Sequence, residues 1–377
     1  MPPAYVNPLS PPLPAAGSRQ RWPALPGCAP ALALSRLAAQ HRGPLAVIVA
    51  DEQHAYRLED ELRFFCAGES PVAHFPDWET LPYDVFSPHA DIVSDRLAVL
   101  HRLPQQRRGV LLVAADTLLQ RVPPPEFIDA RVLLLQVGDT LDPLAMRGRL
   151  EAAGYAAVSE VRGHGEYALR GSVLDLYPMG SAQPFRLDLF DDEIESIRRF
   201  DPENQRSVEK LERIRLLPAR EYPLDDDAIQ AFRQRWRQRF AGDPSASLIY
   251  REISRGVPPG GIEYYLPLFF ERSCSLLDYL PDDALVVELG TVDAALEHRV
   301  QRQQQRRGTV CARHNRSQHD DRACEPEHHR RCARLGRARA RAARTGGAVA
   351  RRAAPGDRGC EGTAALSLRQ RRLGRAV

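Results

Sequence analysis

The 377 residues are enough for two or three domains with sizeable cores. The formal net charge of +3 hides an asymmetry: residues 299–377 hold 21 arginines and 6 acidic residues, a net of +15, so residues 1–298 carry about −12. No apolar run reaches the length that spans a bilayer, and the start lacks the charged and apolar regions of a signal peptide. Seven scattered cysteines without a pairing pattern suit a reducing, cytoplasmic compartment.

Residues 1–21 read as a flexible lead, rich in proline with little to bury. From Trp22 the pattern becomes regular. Helices are expected at Ala31 to Gln40, Gln53 to Phe65 and Ile92 to Leu103, and strands at Leu45 to Ala50, Val72 to Phe75 and Val110 to Ala114. This alternation makes 22–125 an α/β domain with a parallel sheet.

The loop Leu25-Pro26-Gly27-Cys28-Ala29-Pro30 stands where a phosphate-binding loop would open the first helix. Such a loop needs G-x-x-x-x-G-K-[ST]: glycines so that N–H groups can wrap the phosphates, and a lysine to neutralise them. Here there is one glycine, no lysine, and prolines that lack an N–H. No nucleotide cofactor is expected, and no P-loop or DEAD-type motif occurs elsewhere. The Asp77-Trp78-Glu79 and Pro82-Tyr83 stretch reads as an ordered loop packed by its aromatics.

Val122-Pro123-Pro124-Pro125 ends the first segment. An α+β domain is expected over 126–218, with a strand at Arg131 to Val137 and a helix from Pro143 to Ala153, stopped at Gly154. The stretch Gly163 to Phe200 follows. Runs at Ser172 to Tyr177, Phe185 to Phe190 and Ile194 to Phe200 alternate at period two and are joined by tight links, which predicts an antiparallel meander. It displays Arg170, Arg186 and the carboxylates Asp191, Asp192 and Glu193. In the third region, 219–298, a helix from Asp225 to Phe240 carries Ile229, Phe232, Trp236 and Phe240 on one face. A second helix at Ala246 to Arg255 and a buried-type strand at Leu285 to Leu289 are expected. The aromatics between Tyr264 and Phe270 lack interleaved basic residues and read as core.

Residues 299–377 contain no Phe, Trp, Tyr, Ile, Met or Lys. Such a segment is expected to be disordered. Its abrupt onset after His298 is what a change of reading frame in GC-rich DNA produces; the rival is a basic arm that touches nucleic-acid phosphates. Cys311, His314, Cys324, His328, His329 and Cys332 include CxxH and CxxxH spacings, but without apolar residues to build a zinc knuckle around them. No metal site is expected.

The pattern RGSVLDLYP, then PFRLDLFDDEIESIRRFD, then Gln205-Arg206 resembles UvrB-type proteins. With FPDWETLPYDVFSPHADIVSDRLAVLHRL (Phe75 to Leu103) and GIEYYLPLFFE (Gly261 to Glu271), it resembles more closely the UvrB-like front end of the transcription-repair coupling factors (Mfd). The resemblance covers about residues 15 to 298. It implies a degenerate P-loop-type parallel-sheet domain, 22–125 with 219–298, into which the smaller 126–218 domain is inserted. It implies that 126–218 docks on UvrA, with Arg170, Arg186 and Phe190 as the contact residues; the alternative is that the arginines pair within the sheet, with Asp188, Asp191 or Glu193. The full-length family is an ATP-driven DNA translocase that also binds RNA polymerase, and those activities are expected to lie in domains outside this chain. The expected role is therefore UvrA recruitment in transcription-coupled nucleotide-excision repair, without catalysis. The alternatives are a basic-tailed DNA-binding protein, or a fragment of the translocase.

Overall fold

The computed structural model describes residues 6–15, 18–82, 84–315 and 366–370. In chain order its elements are β1 (Arg19–Arg21), α1 (Ala29–Gln40), β2 (Leu45–Val49), α2 (Glu52–Cys66), β3 (Val72–Phe75), α3 (Ala90–Arg102), β4 (Val110–Ala114), α4 (Ala115–Leu118), α5 (Pro125–Asp129), β5 (Leu133–Gln136), α6 (Pro143–Ala153), β6 (Ala156–Ala157), β7 (Glu166–Arg170), β8 (Val173–Leu176), β9 (Phe185–Phe190), β10 (Glu193–Phe200), β11 (Ser207–Leu211), β12 (Arg213–Leu216), α7 (Asp226–Arg239), α8 (Leu248–Ser254), β13 (Leu285–Leu289), α9 (Val292–Asn315) and β14 (Leu366–Gln370). They form two compact units interleaved in sequence. The first draws on Met1–His74, Gln106–Leu119 and Leu280–Val377, the second on Phe75–Gln105 and Gln120–Tyr279.

In the first unit a mixed sheet runs β1-β14-β13-β2-β4-β3. Every residue of β2 (LAVIV) and β4 (VLLVA) is buried. Strands buried on both faces belong at the centre of a parallel sheet, and β2 pairs in parallel with β4 (Val47↔Leu112) and with β13 (Val287↔Val47). Leu34 and Leu37 of α1 and Leu58 and Leu62 of α2 close the core over this centre. The Asp51 carboxylate caps α2 by accepting the His54 N–H at 2.8 Å. By contrast α1 starts after Gly27 and Cys28 without a side-chain cap, with proline in its first turn.

The lead expected to be flexible contributes here: Val6 is buried and β1 pairs with β14. Within 299–377, α9 continues to Asn315, with Arg299 and Arg302 on Asp116 at 3.4 and 2.9 Å, and β14 joins the sheet. The remaining residues of that segment lie outside the described residues, as do the side chains of the cysteines and histidines between 311 and 332. Among the described residues no three candidate metal ligands come together.

The second unit holds a six-stranded sheet of order β11-β10-β9-β8-β7-β6 and a two-stranded one, β12-β5. The expected meander is realised as β8, β9 and β10, antiparallel throughout; β7 and β11 extend it antiparallel and β6 adds a short parallel edge. These flanking strands carry too little alternation to stand out in sequence. Gly154 ends α6 in the left-handed conformation at φ 96°, as expected of a helix stop.

In the same unit α7 and α8 enclose an aromatic core. Phe232, Trp236, Tyr250 and Phe269 are buried together, with Tyr265, Phe240 and Phe270 packed against them. Asp225 caps α7 by accepting the Ala228 N–H at 2.9 Å. Gly261 sits at φ +78°, and a Cβ there would lie 2.2 Å from the Asp84 carbonyl oxygen, so only glycine lets the two segments approach. Trp78 is buried with its ring edge-on to Tyr264, 5.2 Å between centroids, as the loop reading expected; Tyr83 lies outside the described residues.

These units cut the chain differently from the sequence division at 125/126 and 218/219. Segments 75–105 and 219–279 group with 120–218, and a buried ion pair explains why. Arg96 of α3 is fully buried; its Nε donates to Glu221 at 2.6 Å, and its Nη1 to the Pro76 carbonyl at 2.7 Å and to Gln120 at 2.8 Å. Glu221 is itself 2 % exposed. Charges this deep persist only when each is paired, so the segments that carry them stay together. Leu285–Leu289 does return to the parallel sheet, as expected.

Candidate partner-binding surface

Strand alternation sorts the residues of the meander. In β9, Phe185, Leu187 and Leu189 are buried, while Arg186, Asp188 and Phe190 share the opposite face. Cross-strand register adds Asp175 opposite Arg186, Val173 opposite Asp188, Arg198 opposite Arg186 and Ser196 opposite Asp188. Arg170 enters that face from β7, opposite Val173.

Asp175 is the electrostatic centre of this face, with a side chain that is 0 % exposed. Arg186 donates to it in a two-pronged fork, Nε to Oδ1 at 2.7 Å and Nη2 to Oδ2 at 2.9 Å, and Arg170 Nη2 donates to the same Oδ2. The third arm of Arg186, Nη1, donates to the Gln205 carbonyl at 3.2 Å, and its guanidinium lies 4.9 Å from the Phe200 ring centroid. The hydrogen bond to Asp175 pushes the Arg186 pKa upward against the opposing effect of burial. One strand over, Arg198 Nη2 and Ser196 Oγ both donate to Asp188 Oδ2.

The three residues singled out in sequence do share this face, but in unequal states. Arg186 is mostly covered, its side chain 19 % exposed, whereas Arg170 keeps 51 % of its side chain in solvent. Phe190 is 70 % exposed at the end of β9. The in-sheet partner of both arginines is Asp175, not Asp188, Asp191 or Glu193. Sequence reasoning overlooked Asp175 and Arg198. A carboxylate between Leu174 and Leu176 in an apolar strand was the signal for the first; Arg198 is visible only through its cross-strand register with Arg186.

Chemically the face offers mutually satisfied charges and, at the end of β9, an uncovered aromatic ring. The fork geometry holds Arg186 still, leaving Arg170 with spare donors and Phe190 with bare apolar area. That is the composition of a docking face, an anchor within a polar rim, rather than of a catalytic centre.

Comparison with known proteins gives two results. Residues 133–222, which contain this whole sheet face, match the UvrB interaction domain family. The chain is also similar to transcription-repair-coupling factors: 46 % identity over 283 residues to that of Escherichia coli strain K12, covering 75 % of this chain and 24 % of the relative. The Haemophilus influenzae protein is 48 % identical over 268 residues, covering 70 % of this chain and 23 % of its own length. That of Myxococcus xanthus is 34 % identical over 278 residues. The chain therefore carries a UvrB-type interaction domain and is homologous to the transcription-repair-coupling factors, spanning about a quarter of the length of the curated relatives it matches.

Proposed function

We propose that the second unit recruits UvrA, through the sheet face that bears Phe190, Arg170 and Arg186, in transcription-coupled nucleotide-excision repair. The observation that carries this reading is Phe190, a large apolar ring left 70 % exposed beside a lattice of charges that already satisfy one another. Within the matched interaction domain it supplies the anchor, Arg170 the adjustable charge, and Arg186 the fixed frame that keeps Asp175 neutralised. The partner side is then an apolar pocket with acidic groups at its edge.

The direct test is calorimetric titration of the chain against UvrA. Phe190→Ala is expected to weaken binding by about 2 kcal/mol or more if the ring is an anchor. Arg170→Ala is expected to weaken it less, and Arg233→Glu, on α7, not at all. Wild-type affinity in both Phe190→Ala and Arg170→Ala would place the UvrA contact elsewhere. DNA translocation and contact with RNA polymerase are assigned to no residue described in this chain.

A further inference from the structure

The C-terminal half of α7 reads Arg233-Gln234-Arg235-Trp236-Arg237-Gln238-Arg239, with four arginines and no carboxylate. Phe232 and Trp236 are buried and fix the roll of the helix. Arg233 and Arg237, four residues apart, are thereby brought onto one flank. They line an open groove of about 780 Å³ together with Gln230, Gln234 and Arg255, which follows α8.

A buried tyrosine orients the pair. Arg233 Nε donates to the Tyr250 hydroxyl at 3.4 Å, and the Arg237 guanidinium lies 5.9 Å from the same ring. Among the described residues no carboxylate pairs with Arg233 or Arg237 within 4.0 Å, and Arg255, paired with Glu252 at 3.2 Å, remains 68 % exposed. Like charges four apart on a helix repel. A bound anion would relieve that repulsion.

We propose that this groove binds the phosphodiester backbone of a nucleic acid. Arg233 and Arg237 would each take a phosphate, with Gln230 and Gln234 donating amide N–H groups beside them. Guanidinium forks match phosphate oxygens geometrically. A nucleic-acid strand of a duplex brings a charge about every 3.4 Å along the axis, so a groove of this size meets more than one. An acidic protein partner fits less well, because Tyr250, the aromatic at this site, is buried beneath the arginines instead of standing out as an anchor. Asp226 also lines the groove and brings a negative charge to it. The residues differ from those of the UvrA face, and the two readings stand or fall separately.

The test uses the full chain and a fluorescent random-sequence duplex, with anisotropy measured over a series of salt concentrations. Arg-rich residues 299–377 contribute equally to every variant, so the groove is read from the difference in salt slope. Arg233→Gln/Arg237→Gln is expected to reduce the slope of log Kobs against log[salt] by about 1.8, or about 0.9 for each phosphate that is no longer neutralised. Arg147→Gln, whose arginine is paired with Glu151 on α6, is the control and is expected to leave the slope alone. Superimposable slopes for the double variant and the wild type, with unchanged circular dichroism, overturn the proposal. Stoichiometric heat on titrating inorganic phosphate alone, absent from the double variant while the DNA slope is unchanged, marks a single-phosphate site and also overturns it. Weakened UvrA binding by the double variant with an unchanged slope assigns the groove to a protein partner instead, and likewise overturns it.

Discussion

Asp175 and Arg186 face each other across β8 and β9, and the fully buried carboxylate is gripped by both prongs of the guanidinium, at 2.7 and 2.9 Å. Arg186 is therefore first a structural residue of the sheet, whatever it offers a partner. Charge reversal at this position would set two negative groups together out of water. Arg186→Glu is expected to lower stability by about 3–5 kcal/mol, seen as a fall in the urea midpoint. Asp175→Asn keeps the shape but leaves the fork without its counter-charge and should cost a similar amount. A midpoint within error of the wild type for both variants would show that the pair does not hold the sheet.

Phe190 separates stability from binding. Its ring is largely in solvent, so Phe190→Ala is expected to change unfolding stability by no more than about 0.5 kcal/mol. Urea denaturation run beside the UvrA titration checks this. A large stability loss would mean the ring packs on its own domain and is not held ready for a partner.

Arg96 and Glu221 make a second buried ion pair in this unit. Arg96→Met strands the Glu221 carboxylate, which is 2 % exposed, and is expected to cost about 3–5 kcal/mol. Arg96→Met/Glu221→Leu should recover much of that loss, because removing both charges removes the unpaired one. Chemical denaturation of Arg96→Met, Glu221→Leu and the double variant forms the cycle that decides it.

Glu263 gives the second unit a pH dependence. Burial, its largest influence, pushes this carboxyl up to about 7 and the Glu221 charge adds to the shift, while the Ser87 hydroxyl, donating to it at 3.1 Å, works in the opposite direction. A folded-state pKa above the ordinary 4.5 means the folded protein holds the proton more tightly. The resulting stability is fully present below about pH 4.5 and is lost as the pH rises through about 7. Glu263→Gln is expected to flatten the decline in urea midpoint between pH 5 and pH 8. An identical decline in both proteins would assign it to other groups.

The loop before α1 leads to a prediction about nucleotide. Gly27 stands at φ +56°, followed by Cys28 and a helix with proline in its first turn and no lysine at the phosphate position. The purified chain is expected to show no ATP turnover above background and no saturable ATP binding by equilibrium dialysis. Turnover that persists through successive purification steps would contradict the reading.

Much of this protein is determined by local pattern. The short all-apolar runs at Leu45–Val49 and Val110–Ala114 read as buried parallel strands, and they are. Period-two alternation marked β9 to the residue, and Pro143 with Gly154 bounded α6. The same alternation put Arg186 and Phe190 on one face without reference to any tertiary partner. The tertiary structure decided what depends on distant partners. Alternation names a face but not the residue across the strand, so Asp175 as the shared partner of Arg170 and Arg186 came only with the β8–β9 register. It also decided that 75–105 and 219–279 pack with the inserted segment, because a buried Arg96 needs Glu221, 125 residues away, and no local signal encodes that pairing. Likewise Val6 and β1 look dispensable in a proline-rich lead, yet Val6 is buried in the first unit's core and the distant strand β14 supplies β1 with hydrogen-bond partners that its own neighbourhood lacks.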